Sequence, residues 1–516
     1  MPSQRIRLLH VLHEAGWLPN HANLAFENGD DLLPSILATW ADYDCMSLPK
    51  RERLRFEEKQ SWLLEQMTSG AQLTSLPITD DQLGISLGDR LVWWPHGRPD
   101  RRLVGIVSSR LGRRLDKQVA WLSVFRAACS KINRDHDVLL TAASTTPEQF
   151  VQRAAELFGV QVVLMICPRE AEKIPAWFNR VIHQQRLVRR TNVFPGFVSP
   201  ELHTLSAGAL RRTDLTNTPL RDRIVVSLSQ KLLVFHLRRA GHLDRLVRAK
   251  LESANTATGS VVIALGAELI KRDYANELLD SGAVGWVVLS STQSDLTSTS
   301  FLPKTDSASI VELPTDDDWH LLTHCTRSQS DGWPDQCWTN YLDELLLNTE
   351  AMDRSAFASL QRIIAMQRLI ATSRMIRGNT AVVCFTAVPV NASLKLRTFR
   401  SHLGRWDFEP YGICIDRRWL QERGCAPVAY GDASLWDSLT PRERPFFQMQ
   451  ASTTRRTSRV IDWTVEQEWR HVGDLVLNEL PKHKGIVFVP TEEEAKRLAV
   501  LSRWPVAVLD GARTVD

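Results

Sequence analysis

Long apolar runs are missing from this 516-residue chain. No stretch approaches the ~18 consecutive apolar residues that a membrane-crossing helix needs, so no membrane span is expected. The opening residues, MPSQRIRLLHVLHEAGW, lack an apolar core followed by a small-residue cleavage site. That argues against secretion and for a cytoplasmic location. Cysteine is sparse: eight residues lie at 45, 129, 167, 325, 337, 384, 414 and 425, with no Cys-x-x-Cys pair. Such scatter suits reduced core thiols better than a disulfide framework or a zinc site. No internal repeat is visible.

What is present is ordinary globular composition, 43% hydrophobic and 24% charged, on a chain long enough for two or three domains. The net charge of +4 is unevenly spread. Between Arg169 and Lys250 there are 16 Lys and Arg against 6 Asp and Glu, which leaves the rest of the chain net acidic. A basic block of this kind favours phosphate-bearing partners; the plainer reading is a solvated basic face.

Residues 1 to about 100 read as a mostly helical N-terminal region. LPSILATWADYD and KRERLRFEEKQSWLLEQM space their apolar residues three and four apart among charges. DRLVWWPHGRPDRR then supplies Pro, Gly and charge at a boundary, with Trp93 and Trp94 read as packing residues. From 101 to 292 the pattern changes to apolar runs separated by helical stretches: LVGIVSS (103–109), DVLLTAA (137–143), VQVVLMI (160–166), KLLVFHL (231–237), SVVIALG (260–266) and GWVVLSS (285–291). Continuous Val, Ile and Leu runs between helices are what a parallel sheet covered on both faces demands, so the expected fold is α/β with a doubly wound, mostly parallel, Rossmann-like sheet. A Ser/Thr-rich linker follows at about 293–314. A C-terminal α+β domain is expected over 315–516, with a helical run from SAFASLQRIIAMQRLIATSRMI and short strands in HLLTHCT, AVVCFTAV, YGICID, APVAYGD, DWTVEQEWRHV and GIVFVP.

Two strand ends in the middle domain suit a ligand. The first runs into Ser108-Ser109-Arg110-Leu111-Gly112, where small residues allow close backbone approach and the next helix offers free N–H groups. The second ends in Ala143-Ser144-Thr145-Thr146-Pro147, with Thr145 or Thr146 placed as a cap and Pro147 in the first helical turn. Ligand contacts are therefore expected at Ser108, Ser109, Arg110, Ser144, Thr145 and Thr146, although Ser and Thr also cap helices without any ligand.

Pro219-Leu220-Arg221-Asp222-Arg223-Ile224-Val225-Val226-Ser227-Leu228-Ser229-Gln230, running into Lys231–Leu237 and then Gly241-His242, resembles the DprA (Smf) family of the SLOG superfamily. Arg221 and Arg223 fall on the two arginines of that family's Arg-Asn-Arg helix, with Asp222 in place of Asn. Ser108-Ser109-Arg110 is similar to its Gly-Ser-Arg turn. The resemblance implies a Rossmann-like domain that binds a nucleotide or nucleic acid, with Arg221, Arg223 and Gly241 added to the ligand set. The departures, Ala143-Ser144-Thr145-Thr146 and Ala240-Gly241-His242 in place of glycine-rich turns, alter the pocket. The Pro-Gly-Gly-x-Gly-Thr signature of the phosphoribohydrolase branch is absent, which favours binding without turnover. Because the Arg221–Arg223 helix precedes its strand, structural pairing at the far end of the sheet stays open for both arginines.

In the C-terminal domain, Cys384-Phe385-Thr386, Tyr411-Gly412, Pro427-Val428-Ala429-Tyr430 and Glu466-Gln467-Glu468-Trp469-Arg470 occur in the order seen in the AbiGi family of abortive-infection proteins. That resemblance implies bacterial stress or phage-defence biology. Period-two alternation through Asp462–Val472 predicts one strand with Glu466, Glu468 and Arg470 on the same face. Two such carboxylates need a compensating cation, and the doublet is similar to the paired glutamates of arginine-directed ADP-ribosyltransferases. On that resemblance Glu466 and Glu468 are candidate catalytic residues of an NAD-consuming enzyme, Glu468 stabilising a ribosyl cation and Glu466 activating the nucleophile, with His324 or Arg327 and Thr386 nearby. The plainer reading is a salt-bridged strand face. His320 and His324 have no completing ligands and predict no metal site. Arg455, Arg456 and Arg459 read as an exposed basic loop.

The expectation drawn from the whole chain is a binding domain for a nucleotide or nucleic acid that controls a C-terminal effector or interaction domain. A protein partner or a second copy fits this organisation, and no cofactor is specified. Two alternatives stay open: the NAD-consuming enzyme, and a single-stranded-DNA-binding protein without catalysis.

Overall fold

The structure, a computed structural model, describes residues 32–34, 37, 46, 49–76, 79–80, 85–88, 90–112, 114–184, 192–201, 214–253, 259–266, 269–288, 307–349, 352–373, 376–400, 405–450 and 462–509. Most of the Ser/Thr-rich linker, most of LPSILATWADYD, and Arg455, Arg456 and Arg459 lie outside the described residues. Contacts divide the chain into two units, 1–112 with 118–294 and 113–117 with 295–516.

The first unit is built on a nine-stranded sheet. In chain order its elements are α1 (Lys50–Thr68), β1 (Gln72–Ser75), β2 (Leu91–Trp94), β3 (Arg102–Val107), α2 (Val119–Lys131), β4 (Asp137–Ala142), α3 (Glu148–Phe158), β5 (Val162–Ile166), α4 (Ile174–Gln184), β6 (Val193–Val198), α5 (Leu220–Leu228), β7 (Lys231–Val234), α6 (His242–Glu252), β8 (Val261–Leu265), α7 (Arg272–Asp280) and β9 (Val284–Val287). The strand order is β1-β2-β6-β5-β4-β3-β7-β8-β9. The seven strands from β6 to β9 are parallel; β1 and β2 join antiparallel at one edge. All six apolar runs became strands of this sheet, and the fold is α/β with a mostly parallel sheet.

Both faces are covered, as parallel strands require. On one face Ile224, Val225 and Val226 of α5 and Leu246 and Val247 of α6 join Leu140, Val163, Leu232 and Ile263 in a single core. Elsewhere Trp121 and Phe125 of α2 stack on each other and meet Phe150 of α3 and Phe235 after β7. Near the antiparallel edge, α1 and α4 bury Phe56, Leu63, Trp177 and Phe178 against Leu73, Trp93 and Phe197.

The mostly helical reading of residues 1 to about 100 does not hold after Thr68. Helix α1 ends at Thr68, and β1 and β2 extend the sheet. Leu91, Val92, Trp93 and Trp94 are buried one after another, which a strand covered on both faces allows and a surface helix does not.

The second unit carries an eight-stranded sheet. Its elements are β10 (Ile310–Val311), β11 (Leu321–Cys325), α8 (Trp338–Leu347), α9 (Ala356–Met366), β12 (Val382–Thr386), β13 (Gly412–Asp416), β14 (Ala426–Pro427), β15 (Glu468–Val472), β16 (Gly485–Val489), α10 (Glu492–Ala499) and β17 (Val506–Val508), with shorter pieces between them. The order is β10-β17-β16-β13-β11-β12-β15-β14. The middle pairings are antiparallel, and only β10–β17 and β17–β16 are parallel. This is the α+β arrangement the mixed segments predicted. The long helical run stops early: α9 ends at Met366, capped by Gln367, which takes φ 48°.

Candidate functional site

In an open parallel sheet the chain leaves neighbouring strands in opposite directions at one place, and a crevice opens outside their carboxyl ends there. In the first unit that place lies between β3 and β7. Beyond it a small crevice is lined by Ser108 after β3, Thr145 and Pro147 after β4, Asp222 and Val225 of α5, and Leu243 of α6. This settles which end of the sheet α5 faces. A crossover helix runs antiparallel to the strands it joins, so its first turn returns to their carboxyl ends. Arg221, Asp222 and Arg223 stand on the crevice side of the sheet.

Of the residues expected to bind a ligand, Ser108 and Thr145 line the crevice, and the hydroxyls of Ser108, Ser109 and Thr145 are already engaged. Ser108 is buried; its Oγ accepts the indole N–H of Trp121 at 3.0 Å and donates to the Ser109 carbonyl at 2.9 Å. The Ser109 N–H donates to the His236 carbonyl at 2.8 Å, and its Oγ accepts the Arg238 N–H at 3.0 Å. Those bonds lock the ends of β3 and β7 together. Gly241, the N-cap of α6, continues the chain of bonds by donating its N–H to the Arg238 carbonyl at 3.1 Å.

After β4, Ser144 takes φ 64° and gives its N–H to the Glu148 carboxylate at 2.7 Å. Thr145 Oγ1 bonds the Ala142 carbonyl at 2.7 Å. Thr146 follows, partly buried. Glu148 therefore occupies the start of α3 much as a ligand carboxylate would.

Charge at the crevice is mixed. On the segments that end at it, Arg110, Arg238 and His242 are exposed, and Arg221 is half-buried. Asp222 reaches into it, with its pKa raised by burial and drawn back by Arg221 and His242. The raised pKa weakens the repulsion this acid would offer an anion. One residue on along the helix, Arg223 faces a different group, Glu201 and Cys167, with Arg90 beside it. Its own pKa is lowered by burial, and the Cys167 thiol is pushed up to about 11 by burial despite these arginines. Asp222, His236 and Arg238 were missed in the sequence. Asp222 passed as a family substitution, and the main-chain bonds that His236 and Arg238 make to Ser109 are ones no side-chain motif reports.

The second candidate site lies in the other unit and differs from its expectation. Asp462–Val472 is not one strand. Trp463–Glu466 forms a 3-10 turn, Gln467 takes φ 42°, and only Glu468–Val472 enters the sheet. Asp462 starts the turn by accepting the Thr464 N–H at 3.0 Å, which diverts the chain before alternation can begin. The doublet on one strand face is not formed.

Glu468 instead holds Arg470 through two bonds of 2.9 Å. The same guanidinium donates to the carbonyls of Pro445 at 3.0 Å and Phe447 at 2.8 Å and to Gln448 Oε1 at 2.7 Å. The carboxylate of Glu468 is a structural clasp, and Glu466 is the carboxyl that remains open. Burial raises the Glu466 pKa to about 7, with Glu468 and Asp407 adding to the rise and Arg327 and Arg400 opposing it. Thr386 Oγ1 fixes the turn by donating to the Glu466 carbonyl at 2.5 Å.

His320 and His324 do not meet. His320 Nδ1 bonds the Asp318 carbonyl and His324 Nδ1 the Cys384 carbonyl, each at 2.8 Å. Among the described residues no three His, Cys, Asp or Glu side chains gather as a metal site, and no helix is long and apolar enough to cross a membrane.

No family model and no curated protein matches this chain. Among solved structures it is similar to DNA processing protein A from Helicobacter pylori, described for its single-stranded DNA binding mode. The likeness has 15% identity over 42% of this chain and 90% of that one, with a TM-score of 0.25. Similarity at that level carries no weight for fold or function.

Proposed function

We propose that the first unit binds a nucleotide or nucleic acid through its phosphates at the crevice outside β3 and β7. The second unit then serves as the effector or interaction part of a bacterial stress or phage-defence protein. The observation that carries the binding reading is the convergence of the ends of β3 and β4 with the first turns of α5 and α6; Arg110, Arg221 and Arg238 belong to the segments that meet there. Helix starts offer N–H groups to anions, and guanidinium groups add charge-assisted bonds. The ordered Cys384-Phe385-Thr386, Tyr411-Gly412 and Glu466–Arg470 segments support the defence role.

Thermal melting of the full chain with ATP, NAD, ADP-ribose or oligothymidylate tests the binding. A true ligand at 100 times its Kd adds about 2.7 kcal/mol. The expected result is a rise with at least one phosphate-bearing compound, abolished in Arg110→Gln/Arg238→Gln. No rise with any of them removes the proposal.

A further inference from the structure

In the second unit a short hairpin pairs Thr398–Arg400 with Arg405–Asp407. Thr398 stands opposite Asp407 and Phe399 opposite Trp406. Residues directly opposite in an antiparallel pair share a face, and alternate residues along a strand share it too. Arg400 and Asp407 therefore lie on one side and the two rings on the other. The first side is held down. Arg400 Nε donates to Asp407 at 2.7 Å, with the two side chains only 18% and 13% exposed, and its guanidinium lies 5.3 Å from the centre of the Trp463 ring.

The second side is open. Phe399 is 49% exposed and Trp406 39% exposed. Their rings stand 5.3 Å apart at 58°, and the Arg397 guanidinium sits 4.6 Å from the centre of the Trp406 ring. Arg397 and Lys395 are themselves exposed. Exposed apolar side chains scattered singly are ordinary; two large rings held together beside a guanidinium are not scattered.

Charge narrows the partner. From Leu394 to Asp407 the sequence carries Lys395, Arg397, Arg400 and Arg405 against one acid, Asp407. That acid is paired with Arg400 on the held side, so the open side is aromatic and positive. Its partner must present flat apolar surface next to negative charge. A single-stranded nucleic acid repeats both in every nucleotide, whereas a duplex keeps its base faces inside the stack. A second copy of the chain would bring Lys395 and Arg397 against their own kind.

We propose that this hairpin binds single-stranded nucleic acid, with bases stacked on Phe399 and Trp406 and phosphates held by Arg397 and Lys395. Stacking uses the base faces, which all bases have, so binding here tolerates any sequence. The surface belongs to the second unit and stands whether or not the crevice of the first unit takes phosphates.

Photo-crosslinking of the full chain to an oligonucleotide carrying 5-iodouracil, mapped by mass spectrometry, tests this. The expected adducts fall on Phe399 or Trp406, in wild type and in Arg110→Gln/Arg238→Gln alike. In that double-variant background, Phe399→Ala should weaken oligothymidylate binding about fivefold or more. Arg397→Gln should lower the slope of log affinity against log salt by about 0.7. Both side chains are exposed, so melting should not change in either variant. Adducts confined to peptides of the first unit would overturn the hairpin and leave the crevice standing; adducts confined to the hairpin would do the reverse. An abasic strand of equal length that binds the double variant as tightly as oligothymidylate, or no binding in that background, also overturns the proposal.

Discussion

Replacing Arg470 with methionine tests the claim that Glu468 is part of a clasp. The guanidinium is 2% exposed and its partner carboxylate 14% exposed. Neither enjoys the screening that makes surface ion pairs worth ~1 kcal/mol or less. Removing one member of a buried pair leaves an uncompensated charge and costs about 3–5 kcal/mol. Here Arg470 also holds the carbonyls of Pro445 and Phe447, so the segment from Pro445 to Met449 loses its anchor to β15. The change should therefore be felt locally. Hydrogen exchange of peptides covering 445–449 and 468–472 is the assay, because a chain of two units does not unfold in one step. Opening free energy in these peptides should fall by about 3 kcal/mol or more. A Glu468→Leu/Arg470→Met double variant should recover part of the loss, since neither charge is then left alone. A change under ~1 kcal/mol in the single variant would place the pair in the surface class and refute the clasp.

Three further outcomes follow from the same geometry. Glu466 has a folded-state pKa raised to about 7, so its contribution to stability is present below its unfolded pKa and lost as pH rises through 7. Glu466→Gln should therefore melt above wild type at pH 8 and match it near pH 4; a variant less stable than wild type at pH 8 contradicts this. Gly105 of β3 has the Ser229 side chain where a Cβ would stand, so Gly105→Ala should cost about 1–3 kcal/mol by overpacking, read by denaturation of the first unit, and no loss would mean Ser229 moves aside freely. Ser108→Ala leaves the buried indole N–H of Trp121 without its acceptor and should cost about 1–3 kcal/mol; a neutral result would show that another acceptor takes over.

The parallel core was legible because buried parallel strands need unbroken Val, Ile and Leu, and six such runs were visible. Strand β6 was missed because Val193-Phe194-Pro195-Gly196 reads as a turn. In place, a Cβ at Gly196 would come within 2.7 Å of Trp94 Cζ3, so the glycine makes room for a neighbouring strand's tryptophan. Such a reason is visible only once β2 and β6 are paired.

The switch-point crevice was legible as a set of small residues at strand ends. That Ser108 and Thr145 turn inward was not, since their partners, Trp121 and Ala142, are chosen by packing. The Glu466–Glu468 doublet shows the opposite failure. Alternation predicts a strand, but a side-chain bond from Asp462 and the left-handed Gln467 take the chain out of register one residue before Glu468.

Titration of the full chain with a fluorescent oligothymidylate at low and moderate salt, read by anisotropy, tests the phosphate-binding crevice most directly. The account predicts affinity that falls with salt, with the slope of log affinity against log salt reduced by about one for each phosphate-contacting arginine removed in Arg110→Gln and Arg238→Gln. Asp222→Asn should tighten binding by removing the acid that lines the crevice. Binding that ignores all three substitutions, or ignores salt, would place the phosphate contacts somewhere other than the crevice between β3 and β7.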